Sequence, residues 1–246
     1  MATSATAGSF KVKLISRQEI AERTMAFRLE KPAGWTFNAG QSIDLTLLEP
    51  PETDAEGNTR AFSIASAPFE ENLIVATRLR NTAFKRVLQV IPLGTEVKIE
   101  GPFGNLLLHN KPERPAVFLA GGIGITLVRS IVQQAAHEKM PHRVFLFYSN
   151  RRPEDAAFLR ELETLQGQNP HFKLIATMTG MAKSSRPWNG ETRLINKDML
   201  ATHLSDLLSP VYFVTGPPAM VAAMRIILNG CGVANEDIRT EEFAGY

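Results

Sequence analysis

The apolar residues of this chain change rhythm once, near residue 108, and that change limits what the chain can fold into. Before it they alternate with polar ones, as in "FKVKLI" (10–15), "TMAFRLE" (24–30), "QSIDLTLL" (41–48), "LIVATRL" (73–79) and "TEVKIE" (95–100). Period-two alternation is the signature of strands with one buried face. One segment breaks the pattern: in "TAFKRVLQVI", Phe84, Val87, Leu88 and Ile91 share a helical face, and "PLG" stops the helix. Short alternating strands with one helix predict an antiparallel β-barrel.

After the polar, proline-bearing "HNKPERP" (109–115), a linker by composition, the apolar runs become continuous: "AVFLA", "RVFLFY", "FKLIAT" and "VYFVT". Such runs suit strands buried on both faces. Helical patterns separate most of them, for example "PEDAAFLRELETL" with Pro153 in its first turn. The stretch "MAKSSRPWNGET" (181–192) reads as a long loop. This β-α alternation predicts a doubly wound parallel sheet. The expectation is therefore α/β plus β, with an antiparallel barrel domain at 1–110 and an α/β domain at 111–246, a division that 246 residues can support.

Composition narrows the function classes. There is no run of 18 apolar residues, so no membrane span is expected. The opening "MATSATAGSF" lacks the basic and apolar regions of a secretory signal, and a cytoplasmic protein is expected. A single cysteine, Cys231, gives neither a disulfide framework nor a cysteine-ligated iron–sulfur cluster. The five histidines show no metal-ligand spacing, and a net charge of +2 is too slight to argue for nucleic acid.

Five segments carry candidate chemistry. "LAGGIGITLVRS" (119–130) follows a predicted strand and opens a predicted helix, so Gly121, Gly122 and Gly124 would let backbone amides approach a phosphate. "VTGPPAM" (214–220) repeats the arrangement after a later strand. Two such turns at the carboxyl edge of one parallel sheet would frame a ligand crevice. On the strand "RAFSIAS" (60–66), Arg60, Phe62 and Ile64 share one face and Ser63 takes the other. That alternation suits core packing; it also suits a phosphate at Arg60, a ring face at Phe62 and a hydrogen bond at Ser63. "YSNRRPEDAAF" (148–158) ends a strand with Ser149, Arg151 and Arg152, either a solvated basic turn or a grip on a 2′-phosphate. Finally the chain closes on "EEFAGY" (241–246), two acids and two aromatic residues where a frayed polar tail is the norm.

In this order the segments resemble those of the ferredoxin–NADP reductase superfamily, over nearly the whole chain. "RAFSIAS" is similar to its arginine-x-tyrosine-serine flavin motif, with phenylalanine for tyrosine, and "GPFGNL" (101–106) to the turn closing its barrel. "AGGIGIT" and "TGPPAM" resemble its nicotinamide-nucleotide turns, "WNGETRLI" (188–195) its tryptophan-x-glycine segment, and "EEFAGY" its acidic-aromatic close. The resemblance implies a flavoenzyme whose barrel holds FAD in preference to FMN and whose second domain binds NADPH or NADH. Hydride would pass to the flavin N5 and electrons onward to a separate acceptor, a ferredoxin- or flavodoxin-like protein or a small molecule. Reduction of free flavins or quinones, and a flavin-binding regulatory module without turnover, are the alternatives.

Carried over by position, the resemblance assigns Arg60 to the flavin phosphate, with Ala61 beside it, Phe62 to one ring face and Ser63 to a hydrogen bond near N5. Thr77 and Arg78 would line the ribityl-phosphate chain, and the amides of Asn81 and Thr82 would meet the pyrophosphate. Gly121, Gly122 and Thr126 would flank the nicotinamide nucleotide, Ser149, Arg151 and Arg152 its 2′-phosphate, and Thr215 with Gly216 the nicotinamide. Glu242 would assist proton movement or hold the nicotinamide amide, and either Phe243 or Tyr246, with Tyr246 favoured, would cover the second flavin face. Arg78, Arg80, Lys85, Arg86 and Arg129 would form a basic rim for an acidic partner, ordinary solubility charges being the competing reading. Three positions depart from the family pattern: Phe62 lacks the tyrosine hydroxyl, Leu127 replaces a proline, and Thr215 replaces a cysteine.

Overall fold

The computed structural model describes residues 7–243, and in it the alternating segments pair into one antiparallel sheet of six strands. These are β1 (Gly8–Ala21), β2 (Thr24–Leu29), β3 (Ser42–Leu47), β4 (Thr59–Ser63), β5 (Leu73–Arg78) and β6 (Glu96–Phe103), in the order β4-β3-β6-β1-β2-β5. The long β1 makes the sheet curl. Its first residues, to Lys13, pair with β6, and its later ones, from Leu14, pair with β2 across two register shifts. The sheet edges then approach: the N–H of Ala65, just after β4, donates to the carbonyl of Ile74 in β5 at 2.7 Å. Alternate residues fill the interior, among them Val12, Leu14, Phe27, Ile43, Leu45 and Val97. Helix α1 (Ala83–Val90) closes one end with Phe84, Val87 and Leu88 buried, its first turn capped by the Thr82 hydroxyl oxygen.

The continuous apolar runs form a five-stranded parallel sheet: β7 (Ala116–Gly121), β8 (Val144–Asn150), β9 (Phe172–Met178), β10 (Val211–Gly216) and β11 (Ile238–Glu242), ordered β11-β10-β7-β8-β9. One face packs against α2 (Ile125–His137) and α3 (Leu159–Gln168). The other packs against α4 (Lys197–His203) and α5 (Pro218–Gly230). Strand order reverses between β7 and β10, which opens a crevice at their carboxyl ends. The two sheets meet through Ala26, Ala65, Ile74, Ala76 and Ile123, a small apolar cluster joined by Phe243.

Two elements differ from the sequence expectation. The helix expected from Pro153 starts at Leu159, because Pro153–Asp155 forms only a short tight turn and Phe158 adopts φ +60°. Strand β11 gave no apolar signal, since Ile238 is its sole buried residue. The loop expected at 181–192 holds a single short turn, Met181–Lys183. No helix among the described residues is long and apolar enough to cross a membrane, and no group of three or more described His, Cys, Asp or Glu residues is placed to hold a metal.

Candidate active site

The two glycine turns come together backbone against backbone. A Cβ on Gly124 would stand 2.6 Å from the Thr215 carbonyl oxygen and 2.9 Å from the Gly216 nitrogen, so only glycine allows this approach. The buried Thr215 hydroxyl locks the contact by donating to the Gly124 carbonyl at 3.0 Å. Thr215 thus fixes the two turns to each other and does not itself face the crevice, and Thr126, also buried, is turned inward to the Ile123 carbonyl. Gly121 and Gly122 do line the crevice, which encloses about 280 Å³. At Gly122, φ is +53° and a Cβ would meet nothing within 4 Å, so this glycine leaves the floor open.

Ser149, Asn150 and Arg151 from the end of β8, Arg78 from β5, and Phe243 complete the lining. Asn150 was not singled out from sequence. Its side chain is buried at the crevice wall, with the Nδ2 shut off from solvent beside the buried Tyr148. Its only sequence signal was its place at a parallel strand's carboxyl end, one residue before the arginines.

The chain's last described residues carry the second part of the site. The N–H of Phe243 donates to the Gly216 carbonyl at 2.9 Å, which brings its ring to the seam between the two sheets. Two residues back, within β11, Glu241 accepts a hydrogen bond from the Ser63 hydroxyl at 3.2 Å. Burial pushes the Glu241 carboxyl above its ordinary value, with the Ser63 bond pulling weakly the other way. Glu242, the acid expected to assist proton movement, is exposed, because successive strand residues face opposite sides. Tyr246 lies outside the described residues.

The barrel supplies the third part. Arg60 stacks over the Phe84 ring at 5.2 Å and is ion-paired with Glu56 at 2.8 Å. Phe62 sits in the barrel core with its ring 6.0 Å from that of Phe84, so its face is covered and not open to the cleft, whereas Ala61 is exposed. Thr77 is likewise buried, and Arg78 reaches across to Asp155 at 3.3 Å. At the start of α1, the Asn81 side chain accepts from Arg86 at 2.7 Å and the Thr82 N–H donates to the Arg80 carbonyl. The outward amide of this turn is that of Ala83, which donates to the Asp54 carboxylate at 2.8 Å. Lys85 stands half-buried nearby, its ammonium brought down to about 8 by burial and by the charges of Arg80 and Arg60.

Between these parts lies a larger cavity of about 750 Å³ edged by Arg23, Arg78, Arg80, Arg151, Arg152 and Lys183, with Glu22 and Asp155. Arg152 is already committed: it holds both oxygens of Asp155, at 2.8 and 3.0 Å, and also Glu22. Arg151 lines both cavities and makes no ion pair among the described residues. Arg129 leaves the expected basic rim altogether. It is buried and bridges the two halves, donating to the Ala65 carbonyl at 2.7 Å and pairing with Glu70 and Glu161.

These donor sets suit a flavin and a nicotinamide nucleotide. The amide–arginine set at α1 already holds an anion, the carboxylate of Asp54, and the glycine crevice offers open space over Gly122.

Comparison with known proteins points the same way. Residues 118–225 match the family model of the oxidoreductase NAD-binding domain. The chain is 26% identical over 239 residues to terephthalate 1,2-dioxygenase reductase component 2 of Comamonas sp, covering 96% of this chain and 68% of that one. It is 25% identical over 224 residues to the glycine betaine monooxygenase reductase subunit of Chromohalobacter salexigens, covering 90% and 60%. In fold it is similar to a ferredoxin NADP+ reductase from Neisseria gonorrhoeae solved with bound FAD and NADP, with a TM-score of 0.78, 21% identity, and coverage of 95% of this chain and 98% of that one.

Proposed function

We propose that the chain is a member of the ferredoxin–NADP reductase superfamily, that it takes hydride from NAD(P)H at the cleft between its two sheets and that it passes electrons through FAD to a separate acceptor. The FAD, when bound, supplies the ring that accepts hydride and releases electrons singly or in pairs. The chain's own residues bind, orient and shield. The observation that carries the reading is the convergence of Ser63, Glu241 and Phe243 beside the glycine crevice, although these groups come from opposite ends of the sequence.

In this reading Gly121 and Gly122 hold the nicotinamide nucleotide in the crevice they line. Phe243 shields the seam where the two rings would meet. Ser63 offers its hydroxyl at the reacting edge, and Glu241, behind it, accepts the hydroxyl proton and so fixes where the oxygen's lone pairs point. Because burial favours the neutral form of Glu241, the pair can carry one proton to or from the flavin edge as charge shifts there. Arg60, Lys85 and the Ala83 amide take the flavin's phosphate end. Of the two arginines after β8, Arg151 is the one available to a 2′-phosphate, since Arg152 serves Asp155 and Glu22.

The acceptor is a separate redox partner of the kind that oxygenase reductases serve. Arg23, Arg80 and Lys183 at the cavity edge favour an acidic one. The test is an anaerobic titration. Purified protein loaded with FAD should bleach on adding NADH or NADPH and recover its colour with an external acceptor. Protein that takes up no flavin, or flavin that keeps its colour, contradicts the proposal.

A further inference from the structure

The loop joining β3 to β4 (residues 48–58) carries four acids, and three of them, Glu52, Asp54 and Glu56, are bonded to basic groups at or beside the phosphate end of the proposed flavin site. Asp54 is the central one. Its Oδ2 accepts the Ala83 N–H at 2.8 Å, and its Oδ1 lies 3.6 Å from Nη2 of Arg60. Glu56 takes the same Arg60 nitrogen at 2.8 Å, and Glu52 grips Arg86 through both oxygens, at 2.9 and 2.6 Å. A helix-opening amide and a guanidinium converging on one carboxylate are the donors a phosphate oxygen requires. The site's own chain thus presents an anion where the ligand's anion belongs.

We propose that Asp54 is a displaceable internal competitor for the flavin phosphate, so that FAD or FMN binds only by expelling the chain's own carboxylate. This rests on the flavin reading above. A phosphate and the Asp54 carboxylate cannot share Arg60 and the Ala83 amide without like-charge repulsion. Residues 51–56 are exposed, and the loop's base is held by Asn58, whose Nδ2 donates to the Leu47 carbonyl at 2.8 Å; Arg60 also donates to the carbonyls of Glu56 and Gly57, at 2.9 and 3.1 Å, so a phosphate that takes Arg60 releases the loop from it. Affinity for a phosphorylated flavin is then the difference between two sets of charge-assisted bonds. Riboflavin, which has no phosphate, needs no displacement.

The three flavins therefore separate competition from every other role. Dissociation constants of riboflavin, FMN and FAD are measured by fluorescence quenching on the flavin-free full chain, for wild type, Asp54→Ala and Asp54→Asn. Asp54→Ala is expected to tighten FMN and FAD by about tenfold, the worth of one charge-assisted bond, and to leave riboflavin unchanged. Asp54→Asn, which keeps an acceptor for Ala83 but loses the charge, should tighten FMN and FAD less. FMN and FAD binding that is unchanged or weakened would mean that Asp54 positions Arg60 and would overturn the proposal. Equal tightening of riboflavin would also overturn it, since the loop would then obstruct the ring and not the phosphate. Wild type and variants that bind none of the three flavins would bring down the flavin reading, and this proposal with it.

Discussion

Ser63 and Glu241 are 178 residues apart in sequence and 3.2 Å apart in space, and their contact gives the proposed site its acid–base character. Glu241 titrates high because burial disfavours its charged form. A carboxyl whose folded value exceeds the unfolded one of about 4.5 stabilises the fold below that pH. The contribution is lost as pH rises through the raised value. Glu241→Gln cannot ionise, so its stability relative to wild type should grow between about pH 4 and pH 8. Denaturant unfolding of both proteins at the two pH values checks this, and an equal difference at both contradicts it. Sequence alone pointed to Glu242 because the orientation of two adjacent acids depends on strand register. In β11 no apolar alternation announces that register. The strand that carries Arg60 and Ser63 was legible from its clear period; the packing of Phe62 against Phe84 is a tertiary contact no spacing encodes.

At the level of elements, the crevice is two strand-to-helix turns pressed together, and glycine is the condition for that contact. Gly124→Ala puts a methyl 2.6 Å from the Thr215 carbonyl, where neither backbone can yield. The variant should lose roughly 1–3 kcal/mol of stability and bind the nicotinamide nucleotide more weakly, as read by denaturation and by nucleotide titration. Gly167→Ala in α3 is the control: its Cβ meets nothing within 4 Å, so stability and nucleotide binding should hold. A Gly124 variant indistinguishable from that control would show that the two turns do not need their close approach. Both turns were visible in the sequence as glycines placed between an apolar run and a helical pattern. The late start of α3 was not, because Pro153 suits a first helical turn as well as it suits the short turn it occupies, and only the left-handed Phe158 separates them.

Across the whole molecule, the cleft depends on how the barrel is fixed to the parallel sheet. Arg129 runs from α2 to the Ala65 carbonyl and Glu70, Ser130 donates to the Ser66 carbonyl at 2.7 Å, and Arg78 meets Asp155. The change of apolar rhythm near residue 108 foretold two sheets of opposite kind; nothing in it foretold that Arg129, read as a surface charge, would be the strut between them. This docking brings Ser63 to the sheet edge that carries the glycine crevice. Stopped-flow absorbance tests it most directly, following flavin bleaching by saturating NADH or NADPH in wild type and Ser63→Ala loaded equally with FAD. Bleaching in Ser63→Ala should slow by at least about tenfold, ~1.4 kcal/mol of barrel-side stabilisation lost in the transition state, with nucleotide affinity unchanged. Bleaching at the wild-type rate in Ser63→Ala would contradict it.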